Sequence, residues 1–214
     1  MRAAIAIAMA LVAACGAGDQ PAPTSGPIES IVHVSPTAVQ LYAVRHRLDL
    51  AALPLDGAPV PALVGPIELD AAVTIPLDLL RPDATSAYGR VAVRCTGACR
   101  VGGDAAMPAV DLTGLAVEVA IRRGTARLTR WALASADVEA TLGLTVRLAR
   151  DPAASRLDGC LVIRPTAAAP PPLRAAVDAL APADGGGWHR LRLGGTVGAP
   201  DLTAAPCEPA GGDG

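Results

Sequence analysis

The sequence predicts an all-β fold, mainly antiparallel: a single curved amphipathic sheet that closes as a partial barrel, a sandwich or a taco. Three observations carry this. Between Asp137 and Leu148 the chain alternates without a slip, with Val138, Ala140, Leu142, Leu144, Val146 and Leu148 apolar and the residues between them polar or small. A period of two places all the apolar side chains on one strand face. The same period recurs along the chain in eight strand segments. Only one short stretch, near residues 172–181, has helical spacing. About ten residues of helix cannot cover eight strands, so the sheet covers itself or leaves its apolar face to a partner or to lipid.

Taken in order, Val39 to Leu50 is the first long strand, with Val44, Leu48 and Leu50 on one face and Arg45, Arg47 and Asp49 on the other. A Pro- and Gly-punctuated loop, Leu53 to Gly65, leads into Ile67 to Leu79, which alternates at every step. Pro76 has no N–H to give a ladder, so the late part of this strand belongs at an edge or bulge. Gly89 to Cys95 carries Val91, Val93 and Cys95 inward. Leu115 to Arg122 sets Leu115, Val117, Val119 and Ile121 against Glu118 and Arg122, and Arg123-Gly124 turns it into Thr125 to Leu133. After Asp137–Leu148 come Arg156 to Arg164 and, last, Trp188 to Val197. The helix is entered through Pro170-Pro171-Pro172, repeats Leu173, Val177 and Leu180 at i, i+4, i+7, and stops at Pro182.

At 214 residues and 51% hydrophobic, the chain holds one β-rich domain with small appendages. With no Phe, two Trp and two Tyr, its core must be built from Val, Leu, Ile and Ala. All 18 basic residues are Arg, spread among acids, and the net charge is −2. That pattern has no basic footprint for nucleic acid. The missing Lys, Asn and Phe, whose codons are AT-rich, fit a GC-rich gene.

The N-terminus reads as an export signal. Met1-Arg2 is followed by a 12-residue apolar run, Ala3 to Ala14, short of the roughly 20 needed to span a bilayer. Val12-Ala13-Ala14-Cys15 has lipobox spacing, which makes Cys15 the lipidation site after a signal peptide of residues 1–14. Residues 15–30, with Pro21, Pro23 and Pro27, form the lipidated start and tether. The β-rich periplasmic domain spans 31–202, and 203–214 is a Pro/Gly-rich tail, disordered beyond Cys207. Gly16 after the cysteine, rather than Asp, favours an outer-membrane lipoprotein over an inner-membrane one. Setting Cys15 aside leaves Cys95, Cys99, Cys160 and Cys207, which suit two disulfides in an oxidising compartment. Three pairings are open. The short turn Thr96-Gly97-Ala98 favours Cys95–Cys99, which closes almost no loop, and Cys160–Cys207 would then pin the tail. In the chain-entropy treatment that second bond stabilises by roughly 4 kcal/mol.

No residue pattern points to catalysis, a cofactor or a metal. Asp137 and Glu139, two residues apart on one strand face, could in principle be an acid–base pair, but Arg130 and Arg147 beside them make them solubilising charge. His33, His46 and His189 lack ligand-spaced partners, Cys95 and Cys99 are one residue too far apart for a CxxC site, and Gly185-Gly186-Gly187 precedes a strand rather than a helix. The chain reads as a non-enzyme.

Three segments in fixed order carry a family resemblance: Trp131-Ala132-Leu133-Ala134-Ser135-Ala136-Asp137-Val138-Glu139, then Ser155-Arg156-Leu157-Asp158, then Trp188-His189-Arg190-Leu191-Arg192-Leu193-Gly194-Gly195-Thr196-Val197-Gly198-Ala199-Pro200. Over residues 110–202 the chain resembles general secretion pathway protein N, the GspN family of type II secretion accessories. It departs from that family in its lipobox-like start, where a transmembrane anchor is usual, and in Ser135-Ala136, where a Gly is common. The resemblance implies a non-catalytic component whose partners are other type II secretion proteins and the membrane that holds its N-terminus. The pattern is also similar to AsmA-like proteins, which implies, as the alternative, a lipid-binding or lipid-transfer module with an apolar β-groove.

Overall fold

In the computed structural model of the chain, residues 32–49, 63–102 and 108–209 are described. The signal segment, Cys15, the tether, Leu50, most of the loop from Leu53 and the end of the tail from Ala210 lie outside them. The strands are β1 (Val32–Val34), β2 (Ala38–Asp49), β3 (Leu63–Val64), β4 (Pro66–Asp78), β5 (Arg81–Pro82), β6 (Tyr88–Cys95) and β7 (Cys99–Val101). They continue with β8 (Val110–Leu112), β9 (Gly114–Arg122), β10 (Thr125–Ala134), β11 (Val138–Arg147), β12 (Arg156–Pro165), β13 (His189–Gly195) and β14 (Pro200–Ala204), and one helix, α1 (Pro171–Asp178), lies between β12 and β13.

One large antiparallel sheet runs β1-β2-β4-β6-β9-β10-β11-β12-β13-β14, with β5 beside the end of β4. The ladder does not close: β1 and β14 are its two edges. It is nevertheless bent. Arg150, just after β11, pairs with Asp78, the last residue of β4, and lies 4.0 Å from Asp83, just past β5. Strands β4 and β11 stand four places apart in the ladder, about 19 Å on a flat sheet. The apolar rows tell the same story, because Leu69 on β4 is 1% exposed and Leu191 on β13 is 0% exposed, within one continuous core. Rows buried that deeply need a cover. Helix α1 and a small sheet, β3-β7-β8, supply it only at one end of the strands. The remaining cover is the sheet itself, curved so that its own apolar rows meet.

The opening alternation is reproduced faithfully. Val138, Leu142, Leu144 and Val146 are buried, Ala140 and Leu148 pack partly against the core, and Glu139, Thr141 and Arg147 are exposed. Pro76 has only Ala38 of β2 as strand partner, since β6 ends its pairing with β4 at Tyr88↔Thr74. On the side that β6 has left, β5 takes over and the Asp83 N–H donates to the Pro76 carbonyl at 2.8 Å, so this stretch lies between β2 and β5 and not at the open edge expected of that proline.

Three further expectations are corrected. In β2 the register to β4 slips between Ala43 and His46. This bulge sets Arg45 at φ 46°, with its N–H donating to the Asp70 carboxylate at 2.9 Å. The slip exchanges the faces, so Val44 points out at 64% exposure while His46 takes the inward place opposite Leu69. His46 Nε2 is buried there without a hydrogen-bond partner. In α1, Leu173 and Val177 are buried, but the helix stops at Asp178 and Leu180 is 44% exposed. The chain turns inward at Ala181 instead, whose carbonyl accepts from Nδ1 of buried His189 at 2.7 Å, with Asp178 3.4 Å from Nε2. The tail, finally, begins later than residue 203, because β14 pairs with β13 through Ala204.

The two ends of the strands differ. At one end, the Arg123-Gly124 hairpin turn lies against the 3-10 turn Ala84–Ser86. Gly124 (φ +70°) sits so close that a Cβ there would meet the Thr85 carbonyl at 2.2 Å, which only glycine tolerates. The Thr85 and Ser86 hydroxyls donate to Asp83 and hold its carboxyl below the usual carboxylate range. At the same end, β4 and β5 are joined by a two-residue turn of Leu79 and Leu80, both at positive φ (51° and 64°). At the other end sit α1 and the β3-β7-β8 sheet, with Leu63, Cys99, Val110 and Leu112 buried in the common core.

Candidate functional site: the β10–β11 seam and the outer groove beside it

Strands β10 and β11 are consecutive and antiparallel, yet they pair over only three residues, Thr125–Arg127 with Thr145–Arg147. By contrast, β9–β10 pairs over nine positions and β11–β12 over ten. The cause lies in β10, where Thr129 is an extra residue between Leu128 and Arg130, its hydroxyl donating to the Glu118 carbonyl at 3.2 Å. The bulge keeps β10 in step with β9 and takes it out of step with β11. From residue 128 to 134 and from 138 to 144 the facing strand edges form no ladder.

One contact crosses this seam. The Trp131 indole N–H donates to the Ala140 carbonyl at 3.0 Å, a strand acceptor with no ladder partner on that side. Leu128, Trp131, Leu133 and Ala140 are only partly buried along it, although all touch the core. The far end of the seam is tied by Ser135, whose hydroxyl donates to the Asp111 carbonyl and accepts from the Asp137 N–H. The segment Trp131–Glu139 thus forms one side, the closing turn and the start of the other side.

Beside the seam, on the polar face of the sheet, lies a groove of about 290 Å³. Ala92 and Ala120 give it a shallow floor, and Arg90, Arg94, Glu118, Asp70 and Thr129 rim it. Glu118 stands between two guanidiniums, Arg130 at 3.3 Å and Arg94 at 3.7 Å. Arg90 has no ion-pair partner among the described residues. Arg90 and Arg94 on the rim, with Arg130 beside it, face two carboxylates: Glu118, which is shared, and Asp70, which already accepts the Arg45 N–H. Guanidinium donors are left over, suited to a carboxylate or a backbone carbonyl of an incoming chain.

The cysteines occupy the places their spacing suggested. Cys95–Cys99 and Cys160–Cys207 are disulfide-bonded, with Cα separations of 6.2 and 5.7 Å. The first ties β6 to β7 and so hangs the small sheet on the large one. The second lays the tail over the outer face of β12, where Cys160 and Val162 are 3% and 8% exposed. Arg190 holds the same tail, donating to the Cys207 carbonyl at 3.0 Å. Cys15 lies outside the described residues.

The remaining polar residues are structural in their contacts. Glu139 pairs with Arg164, which also stacks over Trp188 at 4.3 Å, while Asp137 sits in the turn before β11. The two carboxylates therefore do not converge on one point. Asp184 accepts from the Trp188 and Gly186 N–H groups, which lower its pKa. His33 lies on edge strand β1, His46 in the β2 bulge and His189 in the core. Among the described residues no three His, Cys, Asp or Glu side chains gather as a metal would need, and no helix is long and apolar enough to cross a membrane. The bulges at Arg45 and Thr129 had no local signal, and the groove they border followed from neither composition nor spacing.

Comparison with family models, curated proteins and solved structures gives no match for this chain.

Proposed function

We propose that the chain is a non-catalytic, membrane-tethered periplasmic accessory of a type II secretion system, which works by docking a partner on its sheet. One observation carries this reading. The ordered segments that resemble the GspN family lie on β10–β14, and the first of them borders the one unladdered seam in the large sheet. Unpaired strand edges, half-buried apolar side chains and an arginine-rimmed groove together suit recognition of an extended protein segment. The lipid-groove alternative has less support, because the apolar face is filled by its own side chains; Ile67, Leu69, Ala71, Val73 and Ile75 are at most 7% exposed.

The test is in vivo photocrosslinking from Ala132 and Arg90, which border the seam and the groove. Recovery of secretion-system proteins from both positions, together with lost exoprotein export in Arg90→Glu/Arg94→Glu at normal protein level, is the expected result. Export that survives deletion of the gene, with no secretion component crosslinked, overturns the reading. Co-purifying phospholipid in native mass spectrometry would move the assignment to the lipid module.

A further inference from the structure

The three most exposed large apolar side chains of the described residues are Leu79 at 90%, Leu80 at 82% and Val34 at 74%. All lie at one end of the strands. Leu79 and Leu80 form the tip of the β4–β5 hairpin, and both hold left-handed backbone, which L-residues with bulky side chains rarely adopt. Asn and Gly are the usual residues of such a turn. A tip that presents two leucines against both solvation and backbone preference is built for an apolar contact outside the molecule.

The charge at this end identifies the contact. Arg122, Arg147 and Arg156 form a row across β9, β11 and β12, with Arg147 directly opposite Arg156. Facing like charges weaken a sheet. Arg123 sits in the next turn, and Arg81 follows the leucines. These five are exposed, and among the described residues none has an ion-pair partner. Only Arg150 is paired, to Asp78 and Asp83, and that pairing fixes the hairpin base to the β11–β12 loop. Among the described residues Asp151 and Asp201 are the unpaired acids at this end. On a chain of net charge −2, the end still carries an excess of guanidiniums, five unpaired against these two carboxylates, beside an apolar point.

We propose that this end of the sheet seats on an anionic phospholipid bilayer, with Leu79 and Leu80 inserted below the headgroups and the surrounding arginines on the lipid phosphates. A protruding pair of leucines with no concave surface around it matches a soft, deformable apolar layer. The guanidinium fork matches phosphate. The proposal stands apart from acylation at Cys15, which would hold the chain to a membrane without orienting the domain, and apart from the secretion reading.

The experiment uses the full chain bearing Leu80→Trp, mixed with vesicles of phosphatidylcholine and phosphatidylglycerol that carry acyl chains brominated near the headgroup. The unsubstituted protein corrects for Trp131 and Trp188. The expected result is a blue shift and bromine quenching of the introduced indole on the mixed vesicles, and little of either on phosphatidylcholine alone. Arg122→Glu/Arg123→Glu in the same background should raise the half-saturating lipid concentration about fivefold or more per arginine reversed. No quenching above the unsubstituted protein overturns the proposal. Equal quenching on neutral vesicles overturns the role of the arginines and hence the anionic surface. A blue shift that grows with protein concentration and needs no vesicles would mean that a second copy of the chain covers the tip, and also refutes it. Because Leu80 is exposed, near-UV circular dichroism should show the native packing retained in the variant.

Discussion

Replacing the Leu79-Leu80 turn by Asn-Gly should make the protein more stable, although it removes two large apolar side chains. Left-handed backbone costs a bulky L-residue about 1–2 kcal/mol, and this turn contains two such residues in sequence. Asn tolerates that conformation and Gly adopts it freely. Against the gain stands the extra freedom that Gly gives the unfolded chain, about 0.5–1 kcal/mol. Burial offsets almost nothing: at 90% and 82% exposure, the leucines forfeit only a few tenths of a kcal/mol of the roughly 1.5–3 kcal/mol that full burial would give. The net expectation for Leu79→Asn/Leu80→Gly is a stabilisation of about 1–2 kcal/mol, equivalent to roughly 2–8 °C in Tm for a domain of this size. Urea unfolding followed by circular dichroism should show a higher midpoint with an unchanged slope. A midpoint that stays put or falls would refute the reasoning, because the leucines would then be holding the folded state together.

Other expectations follow from the same structure. Breaking Cys160–Cys207 with Cys160→Ser should cost about 4 kcal/mol, and about 2 kcal/mol more than Cys95→Ser, since its closed loop is far longer (sequence separation 47 against 4); equal losses in chemical denaturation would contradict this. Trp131→Phe keeps an aromatic ring and deletes the donor to Ala140, so a loss of about 1 kcal/mol is expected, together with faster amide exchange along residues 138–144. His189→Leu leaves the buried Ala181 carbonyl without its partner and should destabilise by about 1–3 kcal/mol; wild-type stability in that variant would show that the imidazole does not pin the chain after α1. The Asp83 carboxyl is held below its ordinary pKa by Thr85 and Ser86. Its contribution is therefore complete above the unfolded carboxylate range and lost as the pH falls through the folded value. The stability gap between wild type and Asp83→Asn should close on acidification, and a gap that widens would reverse the assigned sign.

What the sequence made legible was the part governed by local period. Every long alternation became a strand within a residue or two, because exposing an apolar row costs more than any local preference can recover. The face on which β11 packs was equally legible, as was the pairing of Cys95 with the cysteine four residues on. Short strands were not: β1, β3, β5, β7, β8 and β14 have two to five residues each, too few to show a period. The bulges were invisible for another reason. Arg45 turns out of register because Asp70, 25 positions later, accepts its N–H, and Thr129 because the Glu118 carbonyl takes its hydroxyl. Those partners are long-range, and the seam and groove are consequences of them. Leu79 differs for a third reason: it continues the apolar alternation of β4 by one step, yet the strand ends at Asp78 and the turn carries Leu79 out to 90% exposure.

The Cys160–Cys207 bond has a consequence for the order of events. From β9 to β14 each strand lies beside its predecessor in the sequence, so this half of the sheet can assemble in the order in which the chain emerges. Cys207 follows the last of those strands. Its bond can therefore form only after the chain of the whole meander has been made, and only where thiols are oxidised. Until then β14 is held by its five pairs to β13 alone, and the outer side of β12 around Cys160 and Val162 is bare. The hold on the terminal strand thus depends on thiol oxidation as well as on its ladder: with Cys160 and Cys207 reduced, β14 should be the first strand of the meander to open to proteases.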